Sequence, residues 1–440
     1  MRSYRFLGKC EGYMYIYTVK AGDTLYSVAE KYGVSYRRLL YDNGIIDPAR
    51  LVEGQSLLVL VPEMIYTVQK GDSLYSIAEK YGTSVMELRR NNPYITDSYY
   101  LSEGEKIVIS YKDKGTLPLK VSGFVYSTVN LRLLDQILPF VTYLMIFGYG
   151  FDEMGNVVPV NAEEIVQMSH SSGTAVFLSL SLIDNKGSFA SSKLVPLLTD
   201  SIFQNKVLDG MLSEIRRLDA DGMDIDMEYI PTELKSEFIA FIANAADKLH
   251  NEGYILNVDL APKTSSEQKG LLYEAHDYKA IGEISDLIFL MTYEWGYAYG
   301  EPMAIAPYPN VKRVLEYALT EIPSEKIFLG MPNYAYDWTL PQIKGVTRAE
   351  TIGPLTAVYR ASVYNARINF DETAESPYYN YTGDSGREHI VWFEDVRSYE
   401  RKFQLINEKG ITGAGWWNFM RPFPQGYQLM NNMFAIEKRM

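Results

Sequence analysis

Cysteine is nearly absent: Cys10 is the only one in 440 residues, so no disulfide can form within the chain. The fold must therefore rest on its apolar core. Cys10 also precedes every recognisable domain, which argues against a nucleophilic thiol. Histidine is scarce as well. His170, His250, His276 and His389 make no HExxH or other close-spaced ligand pattern, so no metal and no cofactor are expected. No run of eighteen apolar residues is present, which leaves no ordinary membrane-spanning helix. The first ten residues include basic side chains but no apolar stretch of signal-peptide length, so no signal peptide is expected.

An excess of positive charge is missing too. The formal net charge is −13. Residues 1–111 hold thirteen Lys+Arg and thirteen Asp+Glu, so the whole excess belongs to the rest of the chain. That balance argues against nucleic acid and anionic membrane as partners. Aromatic residues, by contrast, are plentiful, with 36 tyrosines and five tryptophans, and flat rings suit sugar faces. The length suggests two or three domains, and a monomer is expected.

The chain opens on an internal repeat. Residues 17–33 read YTVKAGDTLYSVAEKYG and residues 66–82 read YTVQKGDSLYSIAEKYG, identical at thirteen of seventeen positions. In each copy a short strand leads through a Gly-Asp turn to a helix that Thr24 or Ser73 can cap. Leu25, Val28, Ala29 and Tyr32 fall at i, i+3, i+4 and i+7, one helical face that Gly33 can end. A second short helix (36–41, 85–91) and a closing strand complete a βααβ unit of under fifty residues.

Both copies, at residues 15–62 and 65–111, resemble LysM modules, which bind N-acetylglucosamine-containing chains such as peptidoglycan and chitin. The resemblance implies a shallow groove between the first turn and the loop after the second helix. In the first copy that means Gly22, Asp23, Thr24, Leu25, Ile45 and Ile46. In the second it means Gly71, Asp72, Ser73, Leu74, Tyr94 and Ile95. Such modules act as tethers, so residues 1–111 are expected to be dispensable for cleaving soluble oligosaccharides.

Beyond the polar stretch 112–118, apolar strands alternate with amphipathic helices, the pattern of βα units around a parallel sheet. Strands are predicted at 120–126, 143–149, 175–181, 222–227, 255–261, 286–293, 327–332 and 413–418. Eight of them fit an α/β (β/α)8 TIM barrel over residues 118–440. A small α+β insertion is expected at about 335–390, between strands 7 and 8, with the last helix at 396–409. A doubly wound sheet fits less well, because no GxGxxG follows a strand.

The fourth strand carries the chemistry. It reads Asp221-Gly222-Met223-Asp224-Ile225-Asp226-Met227-Glu228. Strand alternation puts Asp224, Asp226 and Glu228 on one face and Asp221 on the other. Three carboxylates facing a barrel interior disfavour ionisation, which leaves a shared proton and one raised pKa, as a general acid requires. The competing reading is a solvated acidic loop or a metal site. The interleaved Ile225 and Met227 argue against a loop, and Glu228 at a strand's C-terminal end argues for catalysis.

This segment is similar to the DxxDxDxE signature of family 18 glycoside hydrolases, the chitinase-like group. Met291-Thr292-Tyr293-Glu294, Gly330-Met331-Pro332-Asn333-Tyr334 and Gly413-Ala414-Gly415-Trp416-Trp417 resemble that family's sixth, seventh and eighth strand ends. The resemblance implies that Glu228 protonates the glycosidic oxygen while Asp226 orients the substrate acetamido group. It further implies that Asp224 exchanges a proton with Asp226, Tyr293 bonds the acetamido oxygen and Trp417 floors the sugar site. Glu294, Tyr126, Met291 and Tyr334 are further expected substrate contacts. Catalysis would be substrate-assisted and retaining, the sugar's own carbonyl oxygen acting as nucleophile.

Three departures from common chitinases stand out. Glu294 occupies a position where Asp is commoner, residues 179–182 lack a glycine pair, and Met227 stands where an aromatic is frequent. With the LysM–LysM–barrel order they resemble spore cortex-lytic N-acetylglucosaminidases. A cortex whose muramic acid is cyclised to lactam also suits an acidic enzyme. The expectation is thus a spore- or wall-associated peptidoglycan hydrolase. Chitinase is the alternative within enzymes, and a non-catalytic lectin is the alternative outside them. The lectin reading is disfavoured because such barrels typically lack the terminal Glu.

Overall fold

The computed structural model describes residues 14–95, 101–112, 114–182 and 191–439. Cys10 lies outside them.

Each repeat folds as the βααβ unit expected. In the first, Met14–Thr18 pairs antiparallel with Ser56–Leu60 over helices Leu25–Tyr32 and Tyr36–Asp42. In the second, Pro62–Thr67 pairs with Lys106–Tyr111 over Leu74–Tyr81 and Val85–Asn91. Thr24 and Ser73 cap their helices through reciprocal bonds with Ser27 and Ser76, and Gly33 and Gly82 end them in the left-handed conformation.

Eight parallel strands then close into a barrel: β1 (Pro118–Tyr126), β2 (Tyr143–Tyr149), β3 (Ala175–Ser181), β4 (Gly222–Asp226), β5 (Ile255–Leu260), β6 (Leu287–Leu290), β7 (Ile327–Pro332) and β8 (Gly413–Trp417). Every neighbour pairs in parallel, and β8 returns to β1 through Gly413↔Lys120 to Trp416↔Gly123. Alternation sorts the side chains. Outside, Val125, Ile146, Leu178, Ile225, Val258 and Leu329 lie buried under the helices. Inside, Phe124 meets Phe289 edge-on at 5.1 Å, and Tyr143 meets Phe177 and Phe328 at 5.5 and 5.9 Å. These rings fill the lower lumen. Gly330 is small for a reason, since a Cβ there would stand 2.3 Å from the Leu290 carbonyl oxygen.

Between β7 and β8 sits an antiparallel five-stranded sheet with the helix Pro354–Val363, the α+β insertion expected. Helix Val396–Lys409 follows it, but it is not the last. A further helix, Pro424–Met433, follows β8, and Ala435–Ile436 adds a short strand beside β1. Its sequence, PQGYQLMNNM, carries amides but no charged residue, and the helix is buried all round. One side packs on the barrel and the other on both modules.

That second side is built from amides. Gln425 Nε2 donates to Asn43 Oδ1 and to the Ser56 carbonyl, both at 2.8 Å. Gln428 Nε2 donates to the Arg90 carbonyl at 2.7 Å, and Asn431 Nδ2 to Asn91 Oδ1 at 2.9 Å. Arg90 in turn reaches Asn431 Oδ1 and the Pro139 carbonyl, both at 3.1 Å. The first module also meets the insertion, where the Ile368 N–H donates to the Glu53 carbonyl at 3.0 Å. Leu58, Leu60, Val108 and Tyr111 belong to the same continuous core as the barrel. The modules are fastened to the barrel, which does not suit the role of dispensable tether expected of them.

Candidate active site

At the C-terminal mouth of the barrel β4 aims Asp224 and Asp226 inward, as alternation requires, with Asp224 wholly buried. The strand stops at Asp226, one residue short of the expected end, because the ladder to β5 runs out at Ile225↔Val258. Glu228 therefore stands in the loop beyond, and Tyr229 (φ 57°) turns the chain away. Asp221 faces the base of the barrel, where its carboxylate accepts from the Val176 N–H at 2.7 Å and pairs with His170 and Arg439.

Neighbouring strands supply partners that were not anticipated. Register sets Ser179 beside Asp224 and Asp224 beside Asn257. Ser179 Oγ donates to Asp224 Oδ2 at 2.5 Å. Asn257 Nδ2 donates to Asp224 Oδ1 at 2.6 Å and to Asp259 Oδ1 at 3.0 Å. Asp259 thus adds a third aspartate to the interior, and a signal for it was present: Asn257-Val258-Asp259 repeats the period of two seen in β4. Asp226 Oδ1 is buried with no hydrogen-bond partner among the described residues.

Burial governs the titration of this column. It pushes Asp224 up to about 6, against the stabilising bonds from Ser179 and Asn257. Burial, then the charges of Glu228 and Asp224, raise Asp226 well above the usual carboxylate range. Burial with the charges of Asp224 and Asp226 does the same to Asp259. Glu228 is raised to about 7, first by burial and then by Glu294. The mouth accordingly holds protons near neutrality.

Around these acids stand the other expected residues. Tyr293 is buried, and desolvation followed by the charges of Asp259 and Asp226 keeps its phenol protonated. Trp417 is half-buried, edge-on to Phe124 at 5.2 Å and Phe147 at 5.0 Å. Tyr126, partly exposed, lies 6.4 Å from Trp417. Met291 is buried in the main core, and its N–H donates to the Leu260 carbonyl at 2.9 Å. Glu294 sits at φ 66° and accepts from Tyr336 Oη at 2.8 Å and from Tyr334 Oη. The longer acid is therefore anchored to the link that follows β7 and to the first strand of the insertion. Tyr334 touches Glu294, and Tyr336 is an anchor the sequence did not mark.

The module positions divide. Leu25 and Leu74 are 1% exposed and Ile95 is 8%, so their side chains belong to module cores and are unavailable to a glycan. The expectation for these three side chains is corrected. Leu25 and Leu74, each the first residue of its helix, point inward under the cap, and Ile95, after the second helix, closes the core of its module. Asp23 and Asp72 hold the turns, each accepting from a tyrosine (Tyr17, 2.6 Å; Tyr66, 2.7 Å). Gly22, Thr24, Ile46 and Gly71 are exposed, while Ser73, Ile45 and Tyr94 are partly so. Tyr94 stacks on Tyr41 at 5.5 Å. No helix among the described residues is long and apolar enough to cross a membrane.

Comparison with known proteins agrees with this geometry. The family model for glycosyl hydrolases family 18 matches residues 123–421, and that for the LysM domain matches 17–59 and 66–110. The chain is 39% identical over 435 residues to a cortical fragment-lytic enzyme of Bacillus anthracis, covering 96% of this chain and 99% of that one. It is 37% identical over 429 residues to the Bacillus subtilis protein of the same description, covering 97% and 99%. The crystal structure of the Bacillus megaterium spore cortex-lytic enzyme SleL superposes with a TM-score of 0.82 at 33% identity, covering 98% of this chain and 100% of that one. Strand order, acidic motif and full-length similarity lead to one conclusion: the chain belongs to the glycosyl hydrolases of family 18 and carries two LysM domains ahead of its barrel.

Proposed function

We propose that the protein is an N-acetylglucosaminidase that hydrolyses β-glycosidic bonds in spore cortex peptidoglycan, with retention at the anomeric carbon. One observation carries the chemistry: Glu228, raised to about 7, stands beyond a buried aspartate column in which Asp226 Oδ1 has no hydrogen-bond partner among the described residues. A protonated Glu228 donates to the glycosidic oxygen as the bond to the anomeric carbon breaks. The acetamido carbonyl oxygen closes on that carbon and forms an oxazolinium ion. Asp226 accepts the acetamido N–H at its free oxygen and offsets the positive charge, while Tyr293 donates to the acetamido oxygen. Asp224, held by Ser179 and Asn257, shares a proton with Asp226. Glu228, now a carboxylate, then draws a proton from water, which opens the ring from the side the leaving group left. Trp417 supplies the sugar floor and Tyr126 one wall.

The substrate assignment is supported by the relatives described as cortical fragment-lytic enzymes, which match over nearly the whole chain, modules included. It carries with it association with the spore or cell wall, action as a monomer, and a glycan role for the exposed module residues Gly22, Thr24, Ile46 and Gly71. On this reading the units run over about 15–62, 65–111 and 118–440, with the second module's opening strand already under way at Pro62.

Wild-type protein and Glu228→Gln are incubated with cortex fragments, vegetative wall and chitin oligomers, with products read by mass spectrometry and early anomers by NMR. Muropeptides ending in reducing N-acetylglucosamine, released with retained configuration by wild type alone, are expected. Faster turnover of chitin overturns the substrate. An inverted first product overturns the mechanism.

A further inference from the structure

We propose that His276 is a positioning residue for Glu228, acting through the peptide bond that joins Met227 to Glu228. The proposal rests on Glu228 being the general acid.

His276 follows the turn after β5 and is 1% exposed. Both ring nitrogens are committed to backbone. The Ala261 N–H donates to Nδ1 at 2.9 Å, so that nitrogen carries no proton. The ring hydrogen must then sit on Nε2, which lies 3.1 Å from the Met227 carbonyl oxygen and donates to it. The Met227 carbonyl shares its plane with the Glu228 N–H, so fixing one fixes the other. The imidazole thus spans the ends of β4 and β5 just where β4 has lost its ladder to β5. No strand pairing holds Glu228. A side chain does.

The surroundings favour this tautomer. Burial lowers the imidazole pKa to about 4, opposed by the bond to Met227 and aided by the Lys263 ammonium. Lys263 Nζ donates to the His276 carbonyl at 3.0 Å. Tyr278 Oη donates to the Ala261 carbonyl at 2.6 Å and accepts from the Lys263 N–H at 3.0 Å, fixing the other end of the bridge. The Phe238 ring packs 5.8 Å from the imidazole. Lys263 is the charge that acts on the ring, so a second proton, on Nδ1, would meet the Ala261 N–H donor as well as that cation. Glu228 needs its carboxyl placed to within a fraction of an ångström of the glycosidic oxygen. A 1 Å misplacement costs about a hundredfold.

The test uses the full chain with His276→Gln and His276→Asn. The glutamine amide can take the place of Nε2 and keep the donor to Met227, whereas asparagine reaches only the Nδ1 position and keeps Ala261. Turnover of cortex fragments should fall about tenfold or more in kcat for His276→Asn, with KM changed less than about twofold. His276→Gln should stay within about threefold of wild type. Equal losses in the two variants, no loss in either, or a change confined to KM would each overturn the proposal. Should His276→Asn not fold, long-range proton–nitrogen NMR of wild type decides. The Nε2–H tautomer held down to about pH 5 is expected, and titration near the ordinary histidine value of about 6.5 refutes it.

Discussion

Gln428 donates its side-chain amide to the backbone carbonyl of Arg90 at 2.7 Å, tying the barrel's last helix to the second LysM domain. With Gln425 on Asn43 and Asn431 on Asn91, that helix presents a ladder of amides whose partners all lie in the modules. Removing residues 1–111 leaves these buried amides to water and uncovers apolar core. The truncated protein should melt several degrees lower and lose activity on soluble oligosaccharides as well as on insoluble wall. Differential scanning fluorimetry beside a soluble-substrate assay checks this. Unchanged melting and unchanged kcat would show the modules to be mere tethers.

Glu228 makes stability depend on pH. Its folded value, about 7, exceeds the ordinary glutamate value of 4.5, so the folded state binds the proton more tightly. Its stabilising share is fully present below about pH 4.5 and is lost as pH rises through about 7. Glu228→Gln removes this dependence. The variant should be the more stable protein at about pH 8, by something on the order of 1–3 kcal/mol, and the two should converge near pH 4. Melting curves across that range that run parallel would refute the burial argument.

Glu294 raises Glu228 by charge, after burial. Replacing it with Gln removes that charge and lets Glu228 ionise at lower pH. The alkaline limb of kcat should therefore move to lower pH in Glu294→Gln, since the general acid must be protonated. A pH–rate profile with an unmoved or alkaline-shifted limb counts against the coupling.

Trp417 packs edge-on to Phe124 and Phe147, which leaves its position set before any sugar arrives. Trp417→Ala should lower kcat/KM by about tenfold or more, because the sugar loses its flat apolar floor. Steady-state kinetics on cortex fragments reads it directly. A variant with wild-type kcat/KM would remove Trp417 from the sugar site.

Local pattern determined much of this protein. The repeated GDTLYSVAEKY and GDSLYSIAEKY segments fold as capped helices because spacing and cap chemistry are local properties. The eight strands stand where apolar runs alternate with helices, and Asp224 and Asp226 face inward because a strand has a period of two. Tertiary structure decided what no single segment contains. Asn257 and Asp259 join the acids only through the β4–β5 register, and His276 reaches Met227 only when β5 brings its following turn across. Leu25, Leu74 and Ile95 left the expected glycan surface once each module closed its core. The helix Pro424–Met433 stayed hidden because its polar residues face protein amides rather than water. Sequence periodicity separates a polar from an apolar side of a helix, but not whether the polar side meets water or protein.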